Sequence, residues 1–138
     1  MSWDEYIDNL MAPEKNVTIL IGAAICGQDG SLWAASPDMK KITPDEIKKL
    51  IGKTTSFHQC GPTVAGLKCM MLKDQYDDSK CPCLQLKSRP DADGATYNIV
   101  VGKSIQAVVV AKGTKESNAA QVTKKVYTMV DYLQSKGY

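Results

Sequence analysis

Apolar residues recur along the chain with two periods, and the switches between them mark out the elements. Trp3, Tyr6 and Leu10 fall at i, i+3 and i+7, and Ile7 and Met11 widen the same arc, which predicts an amphipathic helix. Ser2-Trp3-Asp4-Glu5 reads as a capping box at its start, and Pro13 closes it. Residues 17–26 are rich in β-branched side chains and apolar on both alternating faces, as expected of a strand in a sheet covered on both sides. Gly27-Gln28-Asp29-Gly30 predicts a hairpin turn, with the return strand over 31–35. Thr43-Pro44-Asp45-Glu46 is a second capping box, with proline at the first helical position. It opens a helix to about Ile51, ended by Gly52.

Residues 64–72 and 82–87 read as strands joined by the polar turn Asp77-Asp78-Ser79. Residues 97–101 and 105–111 read as another hairpin, bent around Gly102-Lys103-Ser104. Ser117 or Asn118 then caps a long helix running to about Ser135. Short turns between successive strands imply an antiparallel sheet, and the helices near the two ends must pack on it, most simply side by side. The expectation is a single α+β domain over 1–138 with a central antiparallel sheet. No repeat, low-complexity stretch or linker interrupts it.

The long helix has three faces. At 100° per residue Val122, Val126, Met129 and Leu133 form one stripe, flanked by Ala119 and Val130, and that stripe is core. Thr123, Lys124 and Tyr127 project on one side of it, and Lys125, Tyr132 and Lys136 on the other. One tyrosine beside a core stripe is ordinary packing with its hydroxyl in water. Two on opposite flanks suggest two contact surfaces.

Composition narrows the classes. Hydrophobic residues at 43% and charged residues at 23% are globular rather than disordered. The net charge of +2 carries a single arginine, Arg89, among 17 basic residues, which argues against a nucleic-acid reader built on arginine forks. Charge is uneven, however: residues 1–14 hold four acidic groups and no basic one. That start does not resemble a secretory signal, and the apolar run 17–26 is half a membrane span. The cysteines are Cys26, Cys60, Cys69, Cys81 and Cys83, an odd number that points to reduced thiols in a cytosol. Cys81-Pro82-Cys83 is a C-x-C, and His58 is the one histidine, so neither a zinc set nor a base for a cysteine nucleophile is evident. No cofactor is expected.

Aromatic residues are few and oddly placed. Five of the nine, Trp3, Tyr6, Tyr127, Tyr132 and Tyr138, lie within 1–6 and 127–138. If the outer helices lie together, Trp3, Tyr6, Tyr132 and Tyr138 can share one surface, with Trp33 from the hairpin beneath. A polyproline II segment suits such walls: its carbonyls are free acceptors, its rings fit between flat aromatic faces, and its rigidity lowers the entropy cost of binding. Plain packing of the helices explains the same pattern equally well at this level.

Ser2-Trp3-Asp4-Glu5-Tyr6-Ile7-Asp8-Asn9-Leu10 closely resembles the N-terminal signature of profilins. The resemblance extends through Trp33-Ala34-Ala35, Ile42-Thr43-Pro44, Gly66-Leu67-Lys68-Cys69, Thr96-Tyr97-Asn98 and Lys124-Lys125-Val126-Tyr127, and so covers essentially the whole chain. It implies an animal-type profilin fold, with the N- and C-terminal helices on one sheet face and shorter helices on the other. It implies a binding protein and not an enzyme: a cytoplasmic, cytoskeletal regulator of actin filament assembly, expected as a monomer. The implied partners are monomeric actin, proline-rich segments of assembly factors and acidic phosphoinositides at the membrane surface.

By the same resemblance the polyproline site comprises Trp3, Tyr6, Trp33, Tyr132 and Tyr138, with Tyr132 at a position often held by histidine. Leu133 is a further candidate edge of that site, although the wheel places it in the core. The actin-facing positions are Lys68, Met70, Met71, Leu72, Lys73, Lys87, Arg89, Thr96, Asn98, Asn118, Ala120, Thr123, Lys124 and Tyr127. Lys73 replaces a common arginine and loses its planar fork, Asn118 a frequent histidine, and Ala95 a frequent proline. Lys68, Lys73, Lys87, Arg89 and Lys124 are the implied phosphoinositide contacts, against the alternative of a merely solvated basic face. The competing reading of the whole is a proline-rich-peptide adaptor without useful actin binding.

Overall fold

The computed structural model describes residues 3–52, 61–75, 83–90 and 92–138. Ser2 of the first capping box, His58, Cys60, Cys81, the turn 77–79 and Pro82 lie outside the described residues. The order of elements is α1 (Trp3–Met11), β1 (Leu20–Gly27), β2 (Leu32–Ala35), a 3-10 turn (Pro37–Met39), α2 (Pro44–Ile51), β3 (Thr63–Val64), β4 (Leu67–Gln75), β5 (Cys83–Ser88), β6 (Asn98–Lys103), β7 (Ala107–Gly113) and α3 (Ala119–Ser135). The seven strands form one sheet in the order β2-β1-β7-β6-β5-β4-β3, and the paired strands are antiparallel.

Strand alternation divides the interior into two cores. Ala23 and Ile25 of β1, Val100 of β6 and Ala107, Val109 and Ala111 of β7 face α1 and α3. Their neighbours Ala24, Cys26, Val101, Val108 and Val110 face α2 and the 3-10 turn, meeting Met39, Ile47 and Leu50. This explains why 17–26 reads apolar on both faces: the sheet is covered on both sides by helices. α3 docks through Val122, Val126, Met129, Val130 and Leu133, all buried. At its start a Cβ on Gly113 would fall 2.6 Å from a Val122 methyl, so only glycine lets the helix approach β7 this closely.

Local chemistry sets the boundaries. Thr43 and Glu46 form the reciprocal capping box, with Glu46 N donating to Thr43 Oγ1 at 3.2 Å and Thr43 N to Glu46 Oε1 at 2.9 Å. Asn118, not Ser117, caps α3. Gln121 N donates to Asn118 Oδ1 at 2.9 Å and Asn118 N to Gln121 Oε1 at 3.0 Å. Ser117 instead turns inward, donating to Ile19 O at 2.6 Å.

Several strand bounds differ from expectation. The first strand begins at Leu20 rather than residue 17, because Lys15 and Asn16 adopt positive φ in a turn closed by the Glu14–Val17 bridge, and Val17 is exposed. The predicted strand 64–72 is broken by a tight turn at Ala65 and Gly66, with φ of 51° and 83°, which creates the short β3. Alternation alone did not show that break. The last hairpin lies about two residues later than predicted: Gly102 and Lys103 belong to β6, and the connection is 104–106.

Glu46 links α2 to the β3–β4 turn. Its carboxylate accepts from Ala65 N at 3.1 Å and Gly66 N at 3.0 Å, in addition to the capping bond. Burial works against its charge, but main-chain N–H groups of Gly66, Thr43 and Ala65 and the Thr63 side chain outweigh it. Its pKa is held below the usual glutamate value.

Candidate functional site

The two end helices bring four rings onto one surface, and β2 supplies the fifth. Trp3 lies at the centre. Its ring stands 5.1 Å from Tyr6 at 72°, 5.0 Å from Tyr138 at 80°, and 4.7 Å from Trp33 at 37°. Tyr6 reaches Tyr132 at 5.6 Å and 73°, and Trp33 reaches Tyr138 at 6.4 Å and 73°. These are mostly edge-to-face contacts, the arrangement that ring quadrupoles favour. All five predicted groove residues therefore form one contiguous cluster. Trp3, Tyr6, Trp33 and Tyr132 are half-buried against the first core, and Tyr138 is 40% exposed. Leu133 is fully buried, so it supports the groove from within the core rather than lining its edge.

Residues that sequence reasoning missed hold this cluster in place. Trp33 Nε1 donates to Ser31 Oγ at 3.1 Å, and Ser31 Oγ donates to Asp29 Oδ1 at 2.6 Å. Ser31 N also donates to that carboxylate, and the Ser31 bonds, side chain first, hold the Asp29 pKa below the usual aspartate value. The Asp29-x-Ser31 spacing is an Asx-turn pattern and was a legible signal. Tyr138 is fixed by its N–H to Leu133 O at 2.9 Å, by Ser104 Oγ donating to its main-chain oxygen at 2.8 Å, and by Gln106 N donating to the same oxygen. No local pattern announces that tether, because Ser104 and Gln106 are more than thirty residues away. The Tyr6 hydroxyl is pushed above its ordinary pKa by desolvation and by its hydrogen bond with Tyr132, so it stays protonated and available as a donor.

The second candidate surface lies across the sheet. Met70 of β4, Lys87 of β5 and Asn98 of β6 sit opposite one another in register, and Lys73 lies opposite Gln85 beyond a bulge at Leu72. Gln85 Nε2 donates to Thr123 Oγ1 at 3.3 Å, and Asn98 Nδ2 to Ser117 O at 3.2 Å, which joins this surface to the flank of α3. Arg89 N donates to Lys68 O at 2.9 Å, setting those two cations side by side.

Met70, Leu72 and Tyr127 are large apolar side chains left 48%, 49% and 41% exposed. Lys68, Lys73, Arg89, Asn118, Ala120 and Lys124 are exposed as well, and Lys87, Thr96, Asn98 and Thr123 are half-buried. Met71 is the exception: alternation turns it to the opposite face, where it packs against the second core. Among the described residues none of Lys68, Lys73, Lys87, Arg89 and Lys124 has an acidic partner.

The two surfaces are well separated. Trp33 lies on the edge strand β2 and Met70 on β4, with β1, β7, β6 and β5 between them. At about 4.8 Å per strand that is roughly 24 Å. α3 spans the gap, with Tyr132 on one flank and Thr123, Lys124 and Tyr127 on the other.

Comparison with known proteins gives the same answer from an independent direction. The Profilin family matches residues 1–138. The chain belongs to the profilin family. It is 32% identical to rat Profilin-2 over 142 residues, covering 99% of this chain and 98% of that one. Human Profilin-1 is also 32% identical, over 141 residues and the same shares. The structure of mouse profilin IIa in complex with a double repeat from the FH1 domain of mDia1 superposes with a TM-score of 0.88 at 28% identity, covering all of both chains. The profilin fold expected from the sequence is thus the one observed, with α1 and α3 on one face and α2 on the other.

Proposed function

We propose that this profilin is a single-domain, monomeric regulator of actin assembly that binds actin monomers through the β4–β6 and α3 surface. Proline-rich ligands bind the Trp3–Tyr6–Trp33–Tyr132–Tyr138 groove. The observation that carries the reading is the placement of the two surfaces on opposite flanks of α3, which lets both ligands be held at once.

The groove suits polyproline in detail. Successive ring spacings of 5.1 and 5.6 Å from Trp3 through Tyr6 to Tyr132 are matched to one polyproline II turn of about 9 Å. Among the described residues the Trp3 indole N–H has no hydrogen-bond partner, which leaves it for a ligand carbonyl. The FH1 repeat held by the mouse relative is a model for the kind of segment that would occupy it.

The second surface combines exposed apolar anchors with unpaired cations, as fits a protein partner bearing acidic groups. Occupation of one end of actin would suppress spontaneous nucleation, while the groove tethers the complex to assembly factors and raises local concentration. Lys68, Lys73, Lys87, Arg89 and Lys124 would also attract acidic phosphoinositide headgroups, in competition with actin. The setting is the cytoplasm and its cytoskeleton.

Two measurements test the reading. Decaproline titrated against tryptophan fluorescence should give a saturable change, because Trp3 and Trp33 are the two indoles of the chain and both line the groove. Stoichiometric protein should suppress spontaneous assembly of pyrene-labelled actin. A fluorescence response without suppression would favour the adaptor reading, to which Lys73, Asn118 and Ala95 contribute, and no fluorescence response would sink the groove.

A further inference from the structure

Beyond Tyr6 and Tyr132 the aromatic groove opens into a cleft of about 490 Å³ between α1 and α3, within the range of about 300–1,000 Å³ typical of ligand sites. Tyr6 and Tyr132 line both, so the two are continuous. The floor is apolar: Leu10 and Met129 are 2% and 5% exposed. The rim is acceptor-rich on the α1 side, with Glu5 and Asn9.

The one cation lining the cleft, Lys125, is drawn to the far end. Its Nζ donates to Ala12 O at 2.8 Å and stands 3.7 Å from Glu14, which neutralises it. Glu5 has no ion-pair partner among the described residues. The exposed side of α1 adds Asp4 and Asp8, and α1 contains no basic residue.

We infer that this cleft is a specificity subsite for a lysine or arginine flanking the proline run of the ligand. An apolar floor under an acidic rim matches such a side chain, whose methylene stem seeks apolar surface and whose head seeks a carboxylate. The stem lies over Leu10 and Met129 beside Tyr6 and Tyr132, and the head meets Glu5. The inference rests on the polyproline reading of the groove and extends it: the groove recognises the proline helix, and the cleft selects among proline-rich segments by their flanking charge.

The test compares three peptides at low salt: decaproline, and decaproline with two lysines at one end or the other. With the wild-type protein, one lysine-flanked peptide should bind about three- to fivefold more tightly than decaproline, the gain of one exposed ion pair. Glu5→Gln should reduce that ratio to about one. Asp8→Asn, on the same helix but outside the cleft, should keep it. Thr128→Trp, which fills the cleft, should abolish the preference as well, and circular dichroism confirms that each variant is folded.

Equal affinity for all three peptides overturns the subsite while leaving the groove intact. A preference lost equally in Glu5→Gln and Asp8→Asn also overturns it, because that is a diffuse field of α1 rather than a site. Failure of decaproline itself to bind overturns the groove reading and the subsite with it.

Discussion

Tyr6→Ala separates the two surfaces most directly. Tyr6 stands between Trp3 at 5.1 Å and Tyr132 at 5.6 Å, so its removal splits the ring row and leaves a gap where one proline turn would rest. A tyrosine anchor at the centre of a contact surface is worth about 2 kcal/mol, so polyproline affinity should fall roughly thirtyfold. Folding should survive. Two edge-to-face pairs are lost at about 0.5–1.5 kcal/mol each, but the ring is only half-buried and the core residues Ile7 and Leu10 beneath it are untouched. The actin-facing residues lie about five strand spacings away, roughly 24 Å, beyond the direct reach of the change. The assay pairs decaproline titration, read by the remaining indoles, with suppression of pyrene-actin assembly. Loss of the first with retention of the second is the expected result. Equal loss of both in a folded variant would refute the two-surface arrangement.

Leu133→Ala, which empties a fully buried position under Tyr132 and Tyr138, should cost about 2–5 kcal/mol in urea unfolding and loosen the groove as well. Glu46→Gln should cost about 1–3 kcal/mol, because a carboxylate accepting from Thr43, Ala65 and Gly66 becomes an amide with one acceptor oxygen. Because the folded pKa of Glu46 is depressed, its contribution is present above the unfolded value of about 4.3 and is lost as pH falls through the folded value. Urea midpoints of wild type and variant should therefore converge below about pH 4, and parallel curves would argue against it. Burial pushes the Cys26 and Cys69 thiols up to about 12, so peptide mapping after brief treatment with a thiol reagent at pH 8 should find neither labelled in the native protein. Lys124→Glu should weaken actin binding more at low salt than at high salt and leave decaproline affinity unchanged, as measured by the same two assays.

The sequence by itself determined what depends on neighbours in the chain. The doubly apolar 17–26 run foretold a sheet covered on both faces, the capping signals at Thr43 and Glu46 placed α2, and the wheel of α3 separated Tyr127 from Tyr132. Each is a short-range consequence of backbone period or side-chain reach. The family signature then named the groove residues one by one.

Only the tertiary structure decided the rest, because it required contacts that close large loops. Whether Trp33 lies against Trp3 depends on β2 pairing with β1 and α1 crossing over both. Tyr138 is placed by Ser104 and Gln106, and Trp33 is oriented by Ser31 and Asp29. Met71 and Met70 are adjacent in sequence, yet the pleat sends one into the second core and leaves the other on the surface. The α1–α3 cleft has no counterpart in any linear pattern: it exists because two helices, each amphipathic by itself, lie side by side on one sheet and leave space between them.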